Sequence, residues 1–428
     1  MPHTSFNTAQ EFYDHLSELK ERFYATEPEL VITVTDTGLD IEGYVVVWNT
    51  DICKNGPFDR NGNGIGKGGT RITPDLMLDD IKRLARSMAE KNAAAGLPLG
   101  GAKSGLRCDP DDLEYEKKYR RFVKLVQEEA ILAEQDGIFG GFGFDIGNKP
   151  PLNALWACDE LGSLDSFTGK PVEMGGTDYD REGIAGLGVA TAARTLTDFK
   201  NEDMNNVTFS VQGLGAMGAA VVNYFSKYGG TLTYLSDPKY GGTWHIEKGA
   251  SQNMVDAIYA QEVDTVKSLL GKEGQLISDD PSDALYADAM IIFPCAFEDV
   301  LTKDNAEKIK APYICEGANN PTTDEAHEIL FNKGTLVIPD IIANPGGIIA
   351  AFVELSSDIS AEENAKTHKK VLLAKEETIA RITTNTRNLL DISTKLNVRP
   401  DKVGDYMAYR NIFHGIPLNL VEGAQYDN

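Results

Sequence analysis

Gly213-Leu214-Gly215-Ala216-Met217-Gly218 stands between a β-rich run, Val207-Thr208-Phe209-Ser210-Val211-Gln212, and an apolar helical stretch that ends at Gly229-Gly230. The first glycine permits a tight turn, the second lets backbone approach a pyrophosphate, and the third lets helix pack on strand. The start of the helix presents the positive end of its dipole to an anion. Asp237 closes the next β-rich run, 19 residues after Gly218. Strand, glycine turn, helix and an acidic strand end together are the context that a dinucleotide-binding unit requires. Cofactor contacts are therefore expected at Gly213, Gly215, Ala216, Met217, Gly218, Asp237 and Pro238. Asp237 would bind a ribose 2′-hydroxyl and repel a 2′-phosphate, which favours NAD. Lys239, two residues on, could accept that phosphate and leaves NADP open.

Around this unit the sequence alternates strand and helix. Strands are expected at 207–212, 231–236, 287–294, 312–316 and 335–338, which implies a parallel sheet of Rossmann type. The loops after such strands share the ligand-binding edge. Ahead of it, Asn7 to Tyr24 reads helical on Phe12, Leu16 and Leu19, and two β-rich runs follow at 29–34 and 43–48. Leu78, Ile81, Leu84, Ala85 and Met88 then recur at helical spacing, and Gly96 and Pro98 stop that helix. Lys103 would lie just beyond it on a glycine turn leading into a strand. A long charged helix is expected from Asp111 to Asp136, and residues 167–176 read as an interdomain connection. At 428 residues the chain exceeds one ordinary core. The architecture expected is two α/β domains. Residues 1–178, completed by C-terminal helices at 356–428, form the first, and 179–355 form the dinucleotide-binding domain.

The formal charge is −24, yet residues 67 to 107 hold eight Lys/Arg against four Asp/Glu. Three lysines punctuate that stretch. Lys67 follows Gly64-Ile65-Gly66, Lys91 follows Ser87-Met88-Ala89-Glu90, and Lys103 follows Gly100-Gly101-Ala102. A cationic pocket in an acidic protein is suited to a small anion, and glycines let backbone come close to it. The overall acidity argues against nucleic acid or an anionic membrane as partner. Five scattered cysteines without a CxxC fit reduced thiols, and the six histidines do not cluster as metal ligands. No secretory signal is read in Met1 to Phe6, and no apolar run is long enough to span a membrane. A cytoplasmic protein without a metal is expected.

The spacing Lys67–Lys91–Lys103, with Gly-Gly-Ala-Lys around the last, resembles the glutamate/leucine/phenylalanine/valine dehydrogenase family. The resemblance runs from about Gly64 to Glu354. It takes in Asp145-Ile146-Gly147, Thr168-Gly169-Lys170-Pro171, the glycine fingerprint, Glu316 to Thr323 and Ile338 to Gly347. It implies a two-domain amino-acid dehydrogenase fold whose domains close over a cleft, a homo-oligomer that is often a hexamer, and interconversion of L-amino acids with 2-oxo acids and ammonia. Carried over, Lys91 grips the substrate α-carboxylate, with Met88 beside it. Lys103 is the catalytic lysine that polarises the 2-oxo group, and Asp145 is the general acid/base. Asn319 and Asn344 lie near the nicotinamide, Asn344 also near the substrate amino group. A lysine among other cations has its pKa lowered, which suits proton exchange near neutrality.

Lys67 separates the subfamilies. Glutamate dehydrogenases carry lysine here to bind the side-chain carboxylate, whereas leucine and phenylalanine dehydrogenases carry an apolar residue. Glutamate is therefore the expected substrate. Two departures point the other way: Ala351 stands where those enzymes usually have serine, and Ala185 where threonine is usual. Ser104 and Pro345 are smaller departures. An amino-acid dehydrogenase for an apolar or unusual substrate and a non-catalytic glutamate or nucleotide sensor stay open as alternatives. A hydroxy-acid dehydrogenase lacks an evident histidine–arginine pair.

Overall fold

The computed structural model describes residues 6–54, 56–59 and 64–416. The first five residues and the 61–63 part of the loop before Lys67 lie outside the described residues. The chain forms two compact units. The first comprises residues 14–182, 348–377 and those from 406 on; the second comprises residues up to 13, 183–347 and 378–405. These bounds differ from the expected division at the N-terminus, where residues 6–13 group with the second unit, and in the C-terminal part. Residues 348–377 go with the first unit, where Glu354 accepts hydrogen bonds from the backbone N–H groups of Gly169 and Thr177. Residues 378–405 go with the second, where Arg399 and Lys402 each pair with Asp324 at 2.6 and 2.7 Å.

In the first unit, β1 (Leu30–Asp36), β2 (Ile41–Trp48), β3 (Gly66–Lys67), β4 (Thr70–Thr73) and β5 (Gly100–Arg107) form one sheet. Its order is β1-β2-β5-β3, with β4 also on β5. β1, β2 and β5 pair antiparallel, while β3 and β4 run parallel to β5. Lys103 therefore sits inside a strand, not on the turn that its glycines suggest. Glycine is depleted in strands because it offers no side chain to pack. Here the helix Leu78–Ala94 lies so close that a Cβ on Gly101 would stand 2.2 Å from the carbonyl oxygen of Ala85. The charged helix is shorter than expected, Tyr115–Glu128, and turns Tyr115, Tyr119, Phe122, Val123 and Val126 inward at helical spacing. β6 (Phe142–Gly143) and β7 (Phe167–Thr168) make a separate parallel ribbon. The stretch 167–176 is thus built into this unit rather than a connection, with Thr168 and Lys170 buried.

In the second unit, β8 (Thr208–Gln212), β9 (Thr231–Asp237), β10 (Gly242–His245), β11 (Gln275–Ser278), β12 (Ile291–Pro294), β13 (Tyr313–Cys315) and β14 (Leu336–Ile338) form a sheet. Its order is β11-β10-β9-β8-β12-β13-β14. The five strands expected from the sequence are present and mutually parallel. β10 and β11 were not anticipated; they are antiparallel and widen one edge. A tight turn, Pro238–Tyr240 followed by Gly241 at φ 83°, lets β10 fold straight back on β9, which a parallel neighbour could not do. The order reverses between β8 and β12, so the carboxyl ends there frame the crevice where open α/β sheets bind ligands.

Candidate active site

Lys103 and Asp145 meet directly in the first unit. Lys103 Nζ contacts Asp145 Oδ2, and both side chains are largely withdrawn from solvent, 7% and 18% exposed. Arg71 adds Nε at 3.3 Å from Oδ2 and Nη2 at 3.5 Å from Oδ1. The loop carrying Asp145 is fastened to β4: Ile72 N donates to Ile146 O at 2.9 Å, and Asn148 Nδ2 donates to Thr70 O and to Asp145 O. Burial pulls the Lys103 ammonium below its ordinary pKa, against the attraction of Asp145, and the charges of Arg71 and Lys91 pull it further. Burial works to raise Asp145, but Lys103 and Arg71 outweigh it and hold the carboxyl below its usual range. A lysine whose hold on its proton is weakened, beside a carboxylate held below its usual range, is a pair able to pass protons to and from a substrate.

Lys91 lies in the last turn of Leu78–Ala94, one turn after Met88. Met88 Cγ is 3.1 Å from where a Cβ on Gly68 would stand, so methionine and the Lys67–Gly69 segment adjoin. Lys67 is 4% exposed, and its Nζ donates to three backbone carbonyls, Gly68 at 3.1 Å, Gly141 at 3.0 Å and Phe142 at 2.6 Å. Burial brings it down to about 7, with Glu354 opposing and Lys170 and Lys103 adding to the shift. Its neighbour Glu354, 1% exposed in its side chain, lies 2.6 Å from Lys170 Nζ through Oε1. Glu354 Oε2 accepts from Gly169 N, Thr177 N and Thr177 Oγ1. Ala351 is buried one turn before Glu354 on the helix Gly346–Ser356. The end of the β6–β7 ribbon thus gathers Lys67, Asp145 and the Lys170–Glu354 pair. The Tyr179 hydroxyl lies there too, 2.8 Å from where a Cβ on Gly169 would stand.

The fingerprint lies in the second unit. Gly213, at φ 86°, turns the chain from β8 into the helix Ala216–Lys227. A Cβ on Gly218 would stand 1.9 Å from Gly213 O, whereas one on Gly215 would meet nothing within 4 Å. Gly215 and Ala216 are exposed at the start of the helix, so backbone N–H groups face open space of the kind a pyrophosphate fills. These residues fit a dinucleotide. Asp237 accepts from Leu214 N at 2.8 Å and, capping the turn that Pro238 begins, from Lys239 N at 3.0 Å. Lys239 Nζ donates to Leu214 O at 2.7 Å, so a cation also stands at this loop. Asn344 Nδ2 donates to Gly317 O, Ala318 O and Asn319 Oδ1, at 3.2, 3.3 and 3.1 Å. Asn319 and Asn344 therefore form one cluster beyond β13 and β14. Lys67, Met88, Lys91, Lys103, Asp145 and Ala351 all belong to the first unit.

Sequence reasoning gave no role to Arg71, Glu354 or Tyr179, and took in Lys170 only as part of Thr168-Gly169-Lys170-Pro171. Arg71 was within the basic stretch, four residues after Lys67. Glu354 carried the clearest signal, a single charge in Gly346-Gly347-Ile348-Ile349-Ala350-Ala351-Phe352-Val353-Glu354, because a carboxylate on a buried apolar helix needs partners. Among the described residues no three His, Cys, Asp or Glu side chains converge on a metal site, and no helix is long and apolar enough to cross a membrane.

Comparison with known proteins gives concordant matches. The family profile described as Glutamate/Leucine/Phenylalanine/Valine dehydrogenase matches residues 175–399, and its dimerisation-domain profile matches 59–139. The NADP(+)-dependent glutamate dehydrogenase of Pyrobaculum calidifontis is 33% identical over 356 residues, 81% of this chain and 79% of that protein. The glutamate dehydrogenase of Thermotoga maritima is 33% identical over 366 residues, covering 83% of each. Among solved structures, glutamate dehydrogenase from Peptoniphilus asaccharolyticus superposes with a TM-score of 0.72 at 25% identity, covering 96% of this chain and 98% of that one.

Proposed function

Because the chain belongs to the glutamate/leucine/phenylalanine/valine dehydrogenase family, and is thus an oxidoreductase of amino acids that uses a nicotinamide cofactor, we propose that its substrate is L-glutamate. It would be deaminated to 2-oxoglutarate and ammonia, and formed again in the reverse direction. The observation that carries this reading is the Lys67 ammonium held beside the Lys103–Asp145 pair in one unit.

In this reading Lys91 takes the α-carboxylate and Lys103 the 2-oxo oxygen. The charged form of Lys103 stabilises the oxyanion of the carbinolamine, and Asp145 moves protons to and from the substrate nitrogen and oxygen. Lys67 takes the side-chain carboxylate, which replaces one of its three carbonyl partners. A bound nicotinamide supplies the hydride donor or acceptor, held through Gly213, Gly215, Ala216, Met217 and Gly218, with Asn319 and Asn344 toward its reactive end. Asp237 already binds two backbone N–H groups and Lys239 stands at the same loop, which supports NADP as well as NAD. The match of residues 59–139 to a dimerisation profile supports a homo-oligomer, with a hexamer expected from the resemblance. Five buried free thiols support a reducing compartment, the cytoplasm.

A second reading, an apolar side chain on the substrate, is favoured by one feature. All three N–H bonds of Lys67 can be taken by carbonyls, and Ala351 and Ala185 offer no hydroxyl. Reductive amination of 2-oxoglutarate and 2-oxoisocaproate, followed with NADPH and NADH, separates the two. Glutamate specificity predicts kcat/KM at least about 100-fold higher for 2-oxoglutarate, because an apolar side chain brings no countercharge to the buried Lys67 and loses that ion pair. The opposite ratio establishes the second reading.

A further inference from the structure

Lys239, in the second unit, is a cation held by neutral groups. Its Nζ donates to Leu214 O at 2.7 Å and to Gln261 Oε1 at 2.9 Å, and it stands 5.2 Å from the centre of the Tyr240 ring. Among the described residues it forms no ion pair, although the chain carries 65 Asp and Glu. Asp237, two residues before it, is engaged by backbone: Oδ2 accepts Leu214 N at 2.8 Å and Oδ1 accepts Lys239 N at 3.0 Å. That carboxylate is turned into the loop, and the ammonium two residues on is left without an anion. In a dinucleotide-binding unit the end of this strand is where the adenosine ribose lies, and a cation nearby accommodates a 2′-phosphate.

Gln261 holds the ammonium in this place. It follows the helix Gln252–Tyr259 at φ 57°, a left-handed conformation uncommon outside glycine. From there its carboxamide turns back toward the fingerprint. Nε2 donates to Ile258 O at 3.0 Å and to Leu214 O at 3.3 Å, while Oε1 faces Lys239. Leu214 O therefore accepts from both side chains, and one neutral amide fixes the lysine to the turn between Gly213 and Gly215. A carboxylate of the same size at this position would pair with Lys239 and cancel its charge. The amide orients the lysine and leaves its charge for a ligand.

We infer that Gln261 is a positioning residue for coenzyme choice: its amide holds Lys239, uncompensated, where the 2′-phosphate of NADP(H) would lie, and so favours NADPH over NADH. This rests on the reading that the fingerprint loop and the end of β9 hold the adenosine ribose. The test is the affinity of the whole chain for NADPH and for NADH, followed by coenzyme fluorescence. The parent is expected to bind NADPH the more tightly. Gln261→Glu, equal in size, is expected to lower the NADPH-to-NADH affinity ratio by about tenfold or more, because Lys239 then pairs with Glu and a charge-assisted hydrogen bond to the phosphate is lost. Gln261→Asn keeps an amide and suits the left-handed backbone, but it is one methylene short and should lower the ratio by about threefold. A merely structural role would weaken both coenzymes alike and leave the ratio unmoved. An unchanged ratio in Gln261→Glu, where Lys239→Gln lowers it, overturns the inference and leaves the cofactor reading standing; should Gln261→Glu not fold, an unchanged ratio in Gln261→Asn does the same. An unchanged ratio in Lys239→Gln, or a parent that prefers NADH, removes the 2′-phosphate from Lys239 and overturns the inference. A parent that binds neither coenzyme overturns the cofactor reading, and the inference with it.

Discussion

Lys67 presents an ammonium group to the carbonyls of Gly68, Gly141 and Phe142, deep enough that burial brings its pKa to about 7. The unfolded chain keeps the proton up to the ordinary lysine value of 10.5. Between those values the folded chain holds fewer protons than the unfolded one, so this residue's contribution to stability rises with pH across that window. Binding runs the other way, because only the charged form attracts a carboxylate. Glutarate, an unreactive dicarboxylate, should bind best below pH about 7 and weaken by up to about tenfold per unit above it. Lys67→Gln should lack that step. A Lys67→Gln variant with the parent's slope would remove Lys67 from the side-chain subsite. The residue types at Lys67, Lys91, Lys103 and Asp145 were readable from spacing and resemblance. That Asp145 also has Arg71 was not, since the partner comes from a different strand and 74 positions away.

At the scale of elements, the turn between β8 and its helix separates two uses of glycine. Gly218 is required by packing, because a Cβ there would stand 1.9 Å from Gly213 O. Gly215 meets nothing within 4 Å, so its missing side chain leaves room for a ligand. Gly215→Ala should therefore keep the parent's Tm and weaken NADPH binding, whereas Gly218→Ala should lower Tm by several degrees, on the order of 1–3 kcal/mol of overpacking. The same cost in Tm for both variants would contradict this assignment. The five parallel strands were legible because each is a short apolar run bounded by polar or glycine-rich loops. β10 and β11 were not, since Gly242-Thr243-Trp244-His245 is short and Leu276 and Ile277 on the outer strand stay exposed, so neither shows a core pattern. Lys103 was misplaced onto a turn because Gly100 and Gly101 carry the composition of a loop. The close helix that makes those glycines necessary is a tertiary fact.

Over the whole molecule, an acidic chain of formal charge −24 keeps a buried group of cations, Lys67, Lys103 and Lys170, whose countercharges are Asp145 and Glu354. The fingerprint made the dinucleotide loop of one unit legible and the lysine spacing made the cationic cluster of the other legible, but not how the C-terminal helices are divided. That division is settled by single polar contacts, Glu354 to Gly169 and Thr177 in one unit, Arg399 to Asp324 in the other. The account as a whole depends on the Lys103–Asp145 contact being the point of proton transfer. The most direct measurement is ammonium-dependent oxidation of NADPH with 2-oxoglutarate by Asp145→Asn, alongside NADPH binding to the same variant. The expected result is turnover reduced by about 100-fold or more with cofactor affinity within about twofold of the parent. Parent-like turnover in that variant would contradict the account.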